Sequence, residues 1–444
     1  MPSLSLVRAL SGLAAVWLAL VSVPLAMAQA NASNFITIRE KAGITTTNYP
    51  IQIARPFKQG EIKNFPRAVI NGTNQRTQAD VKARWADGSV KHAVLAFYLP
   101  TLAANSTVTV TFNNQTSGLN ANALTKANML GSSFNFNARM ELTNGATIAS
   151  ASARDMLNAD KYSSWTQGPV ATTIILADHS LERVFDIGFD SHRSVRPIFH
   201  ATFWPLIDKV KIRFIGEVAN TVALQDQSYA LSLKVGNQTP QNVYSKSSFT
   251  HPAATRWTKE FWLGGAPSAI EINHNLEYLR QTLALPNYDT SHVISETALQ
   301  AAYTHPYEGW QNASKDIFDS GNIFKAMPTA GGREEIGPYT AWVVRWLYTG
   351  DTRMWEQTKG NAELSAAFPI HFREGLDGRQ FDRGNPGVAA LGKVLSMTAR
   401  PSVFLHRGNY YIDYSYTDPT DRIVPLNGTN MKEGEWLPDC AHQP

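Results

Sequence analysis

The sequence contains one cysteine, Cys440, in 444 residues. An internal disulfide is therefore excluded, and the fold must rest on core packing rather than covalent staples. No H-x-x-x-H or H-E-x-x-H spacing occurs, so no helix-borne metal site is written into the chain. A calcium ion held by scattered carboxylates stays compatible with the sequence. The glycine spacings of dinucleotide and phosphate loops are missing, as is the G-x-S-x-G of serine hydrolases. No run of lysine and arginine marks a nucleic-acid tract, which removes nucleic acid as the expected partner. Beyond residue 28 no segment is apolar enough to span a bilayer.

What is present begins with an export signal. Arg8, an apolar run from Leu10 to Leu25 and Ala26-Met27-Ala28 have the pattern of a cleaved leader over residues 1–28. Removing Arg8 with it leaves 39 basic against 36 acidic residues, a mild positive balance that tolerates an anionic ligand without naming one. A secreted or periplasmic bacterial protein, free of the membrane after cleavage, is expected. Hydrophobic residues at 43% and aromatic residues at 10% supply large cores.

From Phe35 to Phe112 the pattern has a period of two. VKARWADGSVKHAVLAFYL turns at Asp87-Gly88, which predicts a hairpin with Val81, Ala83 and Trp85 on one face. More strands are expected in VATTIILAD, RVFDIGF, KVKIRFIGEV and YALSLKV. Near Glu271 the period changes towards 3.6, and EINHNLEYLRQTLAL predicts a helix ending before Pro286. Tyr339, Trp342, Val343, Trp346 and Leu347 form one helical stripe, with Pro338 in its first turn and Gly350 at its end. Asp351 then caps a second helix towards Phe368, giving an αα-hairpin.

Several segments, in order, resemble the exo-rhamnogalacturonan lyase-like family: FPRAVINGT with RWADGSVKHAVLAF, HPAATRWTKEFW with NHNLEYLRQTLALPNYD, PTAGGREEIGPYTAW with FPIHFRE, and the terminal DCAHQP. The resemblance implies a multidomain α+β protein with two β-rich domains followed by a partial α/α toroid. Its parts would be a barrel-like β domain over 33–115, a β-sandwich over 116–268 and the toroid over 269–444. A closed toroid of about twelve helices of about 11–12 residues needs more chain than follows Ile270, so the sequence is expected to be a fragment.

The resemblance also implies an acidic polysaccharide or oligosaccharide as partner and β-elimination as the reaction. Arg333 would hold a uronate carboxylate bidentately, and His371 or Tyr339 would move the proton. Glu334, Glu335 and Arg373 would bind the sugar, and His442 would project into the cleft. On the residues alone, the two glutamates also read as solvated charges favouring a helix start. His371 then reads as a helix-end hydrogen bonder and Tyr339 as core. Arg256 and Trp257, with His251, Lys259 and Trp262, combine aromatic faces with cations in a way that suits pyranose rings and carboxylates. Interdomain core is the competing account. Trp85, Asp87 and His92 belong to a structural turn, and His192, Arg193 and Arg196 form a weaker anion-binding candidate. A glycoside hydrolase using Glu334 or Glu335, and a non-catalytic glycan-binding protein, remain alternatives to the lyase.

Overall fold

A computed structural model describes residues 32–365, apart from 181, 191–192, 219–225, 253–254 and 324–336. Alternating side chains build its first module from β1 (Phe35–Glu40), β2 (Thr46–Pro56), β3 (Phe65–Ile70), β4 (Thr73–Asn74), β5 (Gln78–Arg84), β6 (Val90–Leu102) and β7 (Thr107–Gln115). One antiparallel sheet runs β1-β7-β3-β4 and a second β2-β6-β5. Ile36, Ile38, Ile51, Leu95, Phe97 and Val110 meet in the core between them, each buried side chain contributing roughly 1.5–3 kcal/mol. The expected turn forms: Gly88 has φ +82°, and Asp87 accepts from Ser89 N at 3.0 Å and Ser89 Oγ at 2.6 Å. The shared face does not. The β5–β6 register shifts on both sides of Ala83, leaving Lys82 as an extra residue, so Val81, Ala83 and Trp85 lose strict alternation.

The second module contains α1 (Lys126–Leu130), α2 (Ala153–Asn158), β8 (Ala138–Asn144), β9 (Thr147–Ser152), β10 (Tyr162–Thr166), β11 (Thr172–Leu176), β12 (Arg196–Trp204), β13 (Lys209–Glu217), β14 (Gln227–Val235), β15 (Gln241–His251) and β16 (Arg256–Leu263). Its antiparallel sheets run β10-β11-β12-β13-β16 and β15-β14-β8-β9. Phe199, Phe203, Ile212 and Phe214 from one face meet Met140, Leu142, Tyr229 and Leu233 from the other. RVFDIGF does not form the expected strand. It contributes one isolated bridge, Ile187 to Val195, while buried Asp186 faces Arg196 at 3.6 Å.

Gln78 ties the two modules together by imitating a peptide group. Its Oε1 accepts from Val170 N at 3.2 Å and Ala171 N at 3.1 Å, and its Nε2 donates to Ala171 O at 2.8 Å. Trp204 packs edge-on against Tyr98 beside this clip, with centroids 5.5 Å apart.

The helix expected from Glu271 is replaced at its start by a strand, β17 (Ile270–Asn273), which pairs with β1 and completes the first sheet. Ile270 and Ile272 alternate as a strand does, Ile272 with Leu276 and Leu279 fits the helical period, and the unpaired edge of β1 decides between them. Helix follows only as α3 (Leu276–Gln281), started by Asn275, whose side chain accepts from Tyr278 N. Arg55 reaches from β2 to this helix, its guanidinium lying 4.6 Å from the Tyr278 ring centroid. Helix α4 (Glu296–Thr304) precedes the hairpin of α5 (Ala341–Thr349) and α6 (Thr352–Leu364). Asp351 caps α6 by accepting from the Arg353 and Met354 amides, and Gly350 ends α5 at φ +73°, both as expected. A Cβ on Gly350 would lie 2.7 Å from the β17 backbone, so only glycine lets the hairpin sit there. Among the described residues no helix is long and apolar enough to cross a membrane.

Candidate functional site

The side chains of β12, β13 and β16 that do not enter the core form the outer face of the five-stranded sheet, and α6 lies across it. Lys359 on α6 donates to Glu260 at 2.8 Å, and Arg213 donates to Glu363 on α6 at 3.0 Å. Burial raises the Glu260 carboxyl, but Lys211, Lys359 and Arg213 outweigh it and hold the group at about 2. Burial dominates at Glu363 and pushes its carboxyl up. His200, opposite Arg213 in the ladder, is driven down to about 4 by burial and by the charges of Arg213 and Arg256.

Beside the N-terminal half of α6 a cleft of about 480 Å³ opens between β2, this outer face and the αα-hairpin. Four tryptophans converge on it. Trp204 ends β12, Trp262 lies on β16 opposite Lys211, and Trp346 and Trp355 come from the two arms of the hairpin. The last pair stand with centroids 4.9 Å apart and planes inclined at 38°. Trp355 is 42% exposed, and its ring is the open face of the site. Its polar lining includes Lys211, Glu356, Gln52 and His274. Burial lowers the Lys211 ammonium, and burial with the charge of Arg55 lowers His274 to about 4. His274 is therefore neutral at pH 7, its ring edge set against Trp346 with centroids 5.6 Å apart. Aromatic faces, one cation and a few hydrogen-bonding groups suit a sugar with a carboxylate.

The sequence-derived candidates divide sharply. Arg333, Glu334, Glu335, His371, Arg373 and His442 lie outside the described residues, as do His192 and Cys440. Tyr339 is 37% exposed in the turn before α5, not within the helix. Trp257 is 2% exposed and belongs to the core. Its Nε1 donates to Tyr229 Oη at 3.0 Å, and its ring occupies the space left by Gly216, the residue opposite it on β13. What little of it is exposed edges a pocket beside the C-terminal half of α6. His251 is equally buried and bonds Tyr229. Arg256 stands opposite Glu217 at the start of β16.

Lys259 pairs with Asp316 at 3.1 Å and belongs, with Arg256, to this second pocket of about 330 Å³ beside the C-terminal half of α6. Trp262 alone of that group reaches the cleft. Arg193 donates to the Val184 and Glu182 carbonyls, and Arg196 is taken up by Asp186. Among the described residues no group of three or more His, Cys, Asp or Glu side chains is placed to hold a metal ion.

Sequence reasoning missed Lys211, His274, Trp355 and Glu356. The available signal was Trp346 and Trp355 on either side of Thr-Gly-Asp, since a helical hairpin brings such residues together. No protein-family model matches this chain, and no curated protein matches it.

Proposed function

We propose that this chain is an exported protein of polysaccharide-lyase type that cleaves a uronate-containing glycan, of rhamnogalacturonan type, by β-elimination. The observation that carries the reading is the convergence of four tryptophans and Lys211 on one cleft. The first two sheets would form the barrel-like module, the next two the sandwich, and α3 to α6 the opening helices of an α/α toroid. Trp346 and Trp355 would stack on sugar rings, with Lys211 drawing a uronate carboxylate into the cleft. Arg333 would neutralise the reacting carboxylate while His371 removes the C5 proton and Tyr339 stands ready to protonate the leaving oxygen. The C5 electron pair then forms the C4–C5 double bond, the C4–O bond breaks, and the departing oxygen takes a proton.

Digestion of rhamnogalacturonan and homogalacturonan, followed by ultraviolet absorbance of unsaturated uronate and by reducing-end assay, tests this reading. Unsaturated product that disappears in Arg333→Ala and His371→Ala, while Trp355→Ala weakens binding, is the expected result. Reducing ends without the chromophore would make the protein a hydrolase. Binding without turnover would make it a glycan-binding protein.

A further inference from the structure

A separate groove of about 580 Å³ lies between two edge strands, β5 of the first module and β10 of the second. Both strands carry a bulge there. On β5 the register steps from Val81 to Ala83 and leaves Lys82 as the extra residue. On β10 it steps from Ser164 to Thr166 and leaves Trp165. Bulges swing a side chain out of its ladder, and these two swing towards each other. The Lys82 ammonium stands 4.2 Å from the Trp165 ring centroid and donates to Trp165 O at 2.6 Å.

Charge on an edge strand is common protection against unwanted pairing, which accounts for Lys82 taken alone. It does not account for a tryptophan turned outward on an edge strand and left 51% exposed. Nor does ion pairing occupy the cations. Among the described residues neither Lys82 nor Arg84 has a carboxylate within 4.0 Å, and Arg84 donates only to the carbonyls of Lys63, Asn64 and Gly88. The nearby acid, Asp80, is satisfied by Gln78 Nε2 at 2.9 Å and Gln167 N at 3.0 Å. Asn120 and Ser164 add amide and hydroxyl groups to the walls.

We propose that this groove is a second binding site, for an acidic saccharide. A pyranose packs on the exposed part of Trp165, and its carboxylate is drawn by the charges of Lys82 and Arg84, which line the same groove. The site holds a glycan chain and performs no chemistry. It rests on the proposed function only for the choice of polymer.

Isothermal titration of the full chain with a galacturonate oligosaccharide, its carboxyl-reduced counterpart and single-stranded oligothymidylate tests the site in wild type, Trp165→Ala, Lys82→Gln and Trp355→Ala. The expected result is two classes of site for the galacturonate oligosaccharide. One is weakened about tenfold or more by Trp165→Ala, and less by Lys82→Gln, while Trp355→Ala leaves it unchanged. The carboxyl-reduced sugar binds that class more weakly. Trp165→Phe, which keeps an aromatic face, restores part of the affinity, and circular dichroism confirms folding of each variant. Affinity indifferent to Trp165 and Lys82 would overturn the proposal, even if the cleft and its turnover respond to Trp355→Ala. Oligothymidylate binding as tightly as the galacturonate would overturn it as a saccharide site. Loss of turnover with the groove titration intact would overturn the proposed function alone.

Discussion

Lys359 on α6 and Glu260 on β16 stand 2.8 Å apart, and this pair fixes the helix that walls the cleft. Glu260 also faces Arg213 at 3.4 Å and Lys211 at 3.9 Å, so this carboxylate meets three cations, two of which it shares with Glu363. Glu260→Gln is expected to lower unfolding free energy by about 2–4 kcal/mol, because it leaves three partly buried cations with less compensation. Glu363→Gln should cost less than Glu260→Gln, because burial, which raises the Glu363 carboxyl, offsets part of what its pairing with Arg213 and Lys359 gains. Urea titration of the two variants checks the ordering, and equal losses would contradict it.

The open face of Trp355 makes it the cleft residue whose removal least disturbs the fold. Trp355→Ala is expected to weaken binding of an acidic glycan about tenfold and to change the melting temperature little. Trp346→Ala should reduce both affinity and stability, because its ring packs on Trp355 and His274. Titration calorimetry and thermal denaturation on the same samples separate the effects.

Three histidines, His251 fully buried and His200 and His274 partly so, set the response to acid. His200, His251 and His274 sit at about 4 in the folded chain, against about 6.5 unfolded. Between those values the unfolded chain binds more protons, so their contribution is complete above about pH 6.5 and is lost as pH falls through 4. For His251 burial is the cause, and its bonds favour the neutral ring as well. Trp257 donates to Tyr229, Tyr229 donates to His251 Nδ1 at 2.7 Å, and Nε2–H donates to Thr255 O at 3.1 Å, which leaves no place for a second ring proton. Asp186, raised to about 6 chiefly by burial, works in the opposite sense over the acid part of the window. The melting temperature should therefore fall as pH drops from 6.5 towards 4, and Asp186→Asn should make that fall steeper. A flat profile would contradict the assignment.

At Gly350 the backbone is left-handed and a side chain would strike Ile272 and Asn273. Gly350→Ala is expected to destabilise by more than about 1 kcal/mol, and to lower glycan affinity, because the hairpin carrying Trp346 and Trp355 must shift. Chemical denaturation and glycan titration report the two effects.

Local rules made the β-rich character, the Asp87-Gly88 turn and the Gly350-Asp351 junction legible, because each depends on neighbours in sequence. Ile270–Asn273 was not legible as a strand. Its pattern fits either period, and the deciding factor, the open edge of β1, lies far away in the chain. The bulges at Lys82 and Trp165 were hidden for a related reason, since a register step depends on the partner strand. At the site, Trp262 was visible as one of an aromatic and cationic group. That the same alternation sends Trp257 into the core and Trp262 to the cleft follows from the odd separation of the two residues, which places them on opposite faces of β16. Lys211 carried no motif, and only the layering of α6 over the sheet gives it a role.

The pairing of β17 with β1 has a temporal side. Lys41 beside β1 contacts Glu271 on β17 across 230 positions of sequence. At ribosomal speeds of about 5–20 residues per second, tens of seconds separate the synthesis of the two partners. During that interval β1 is a finished strand with one flank unsatisfied, while the whole second module is being made. The earliest segment of the architecture is thus among the last to be locked. A nascent chain arrested just short of Ile270 is the form most exposed to pairing with the wrong neighbour.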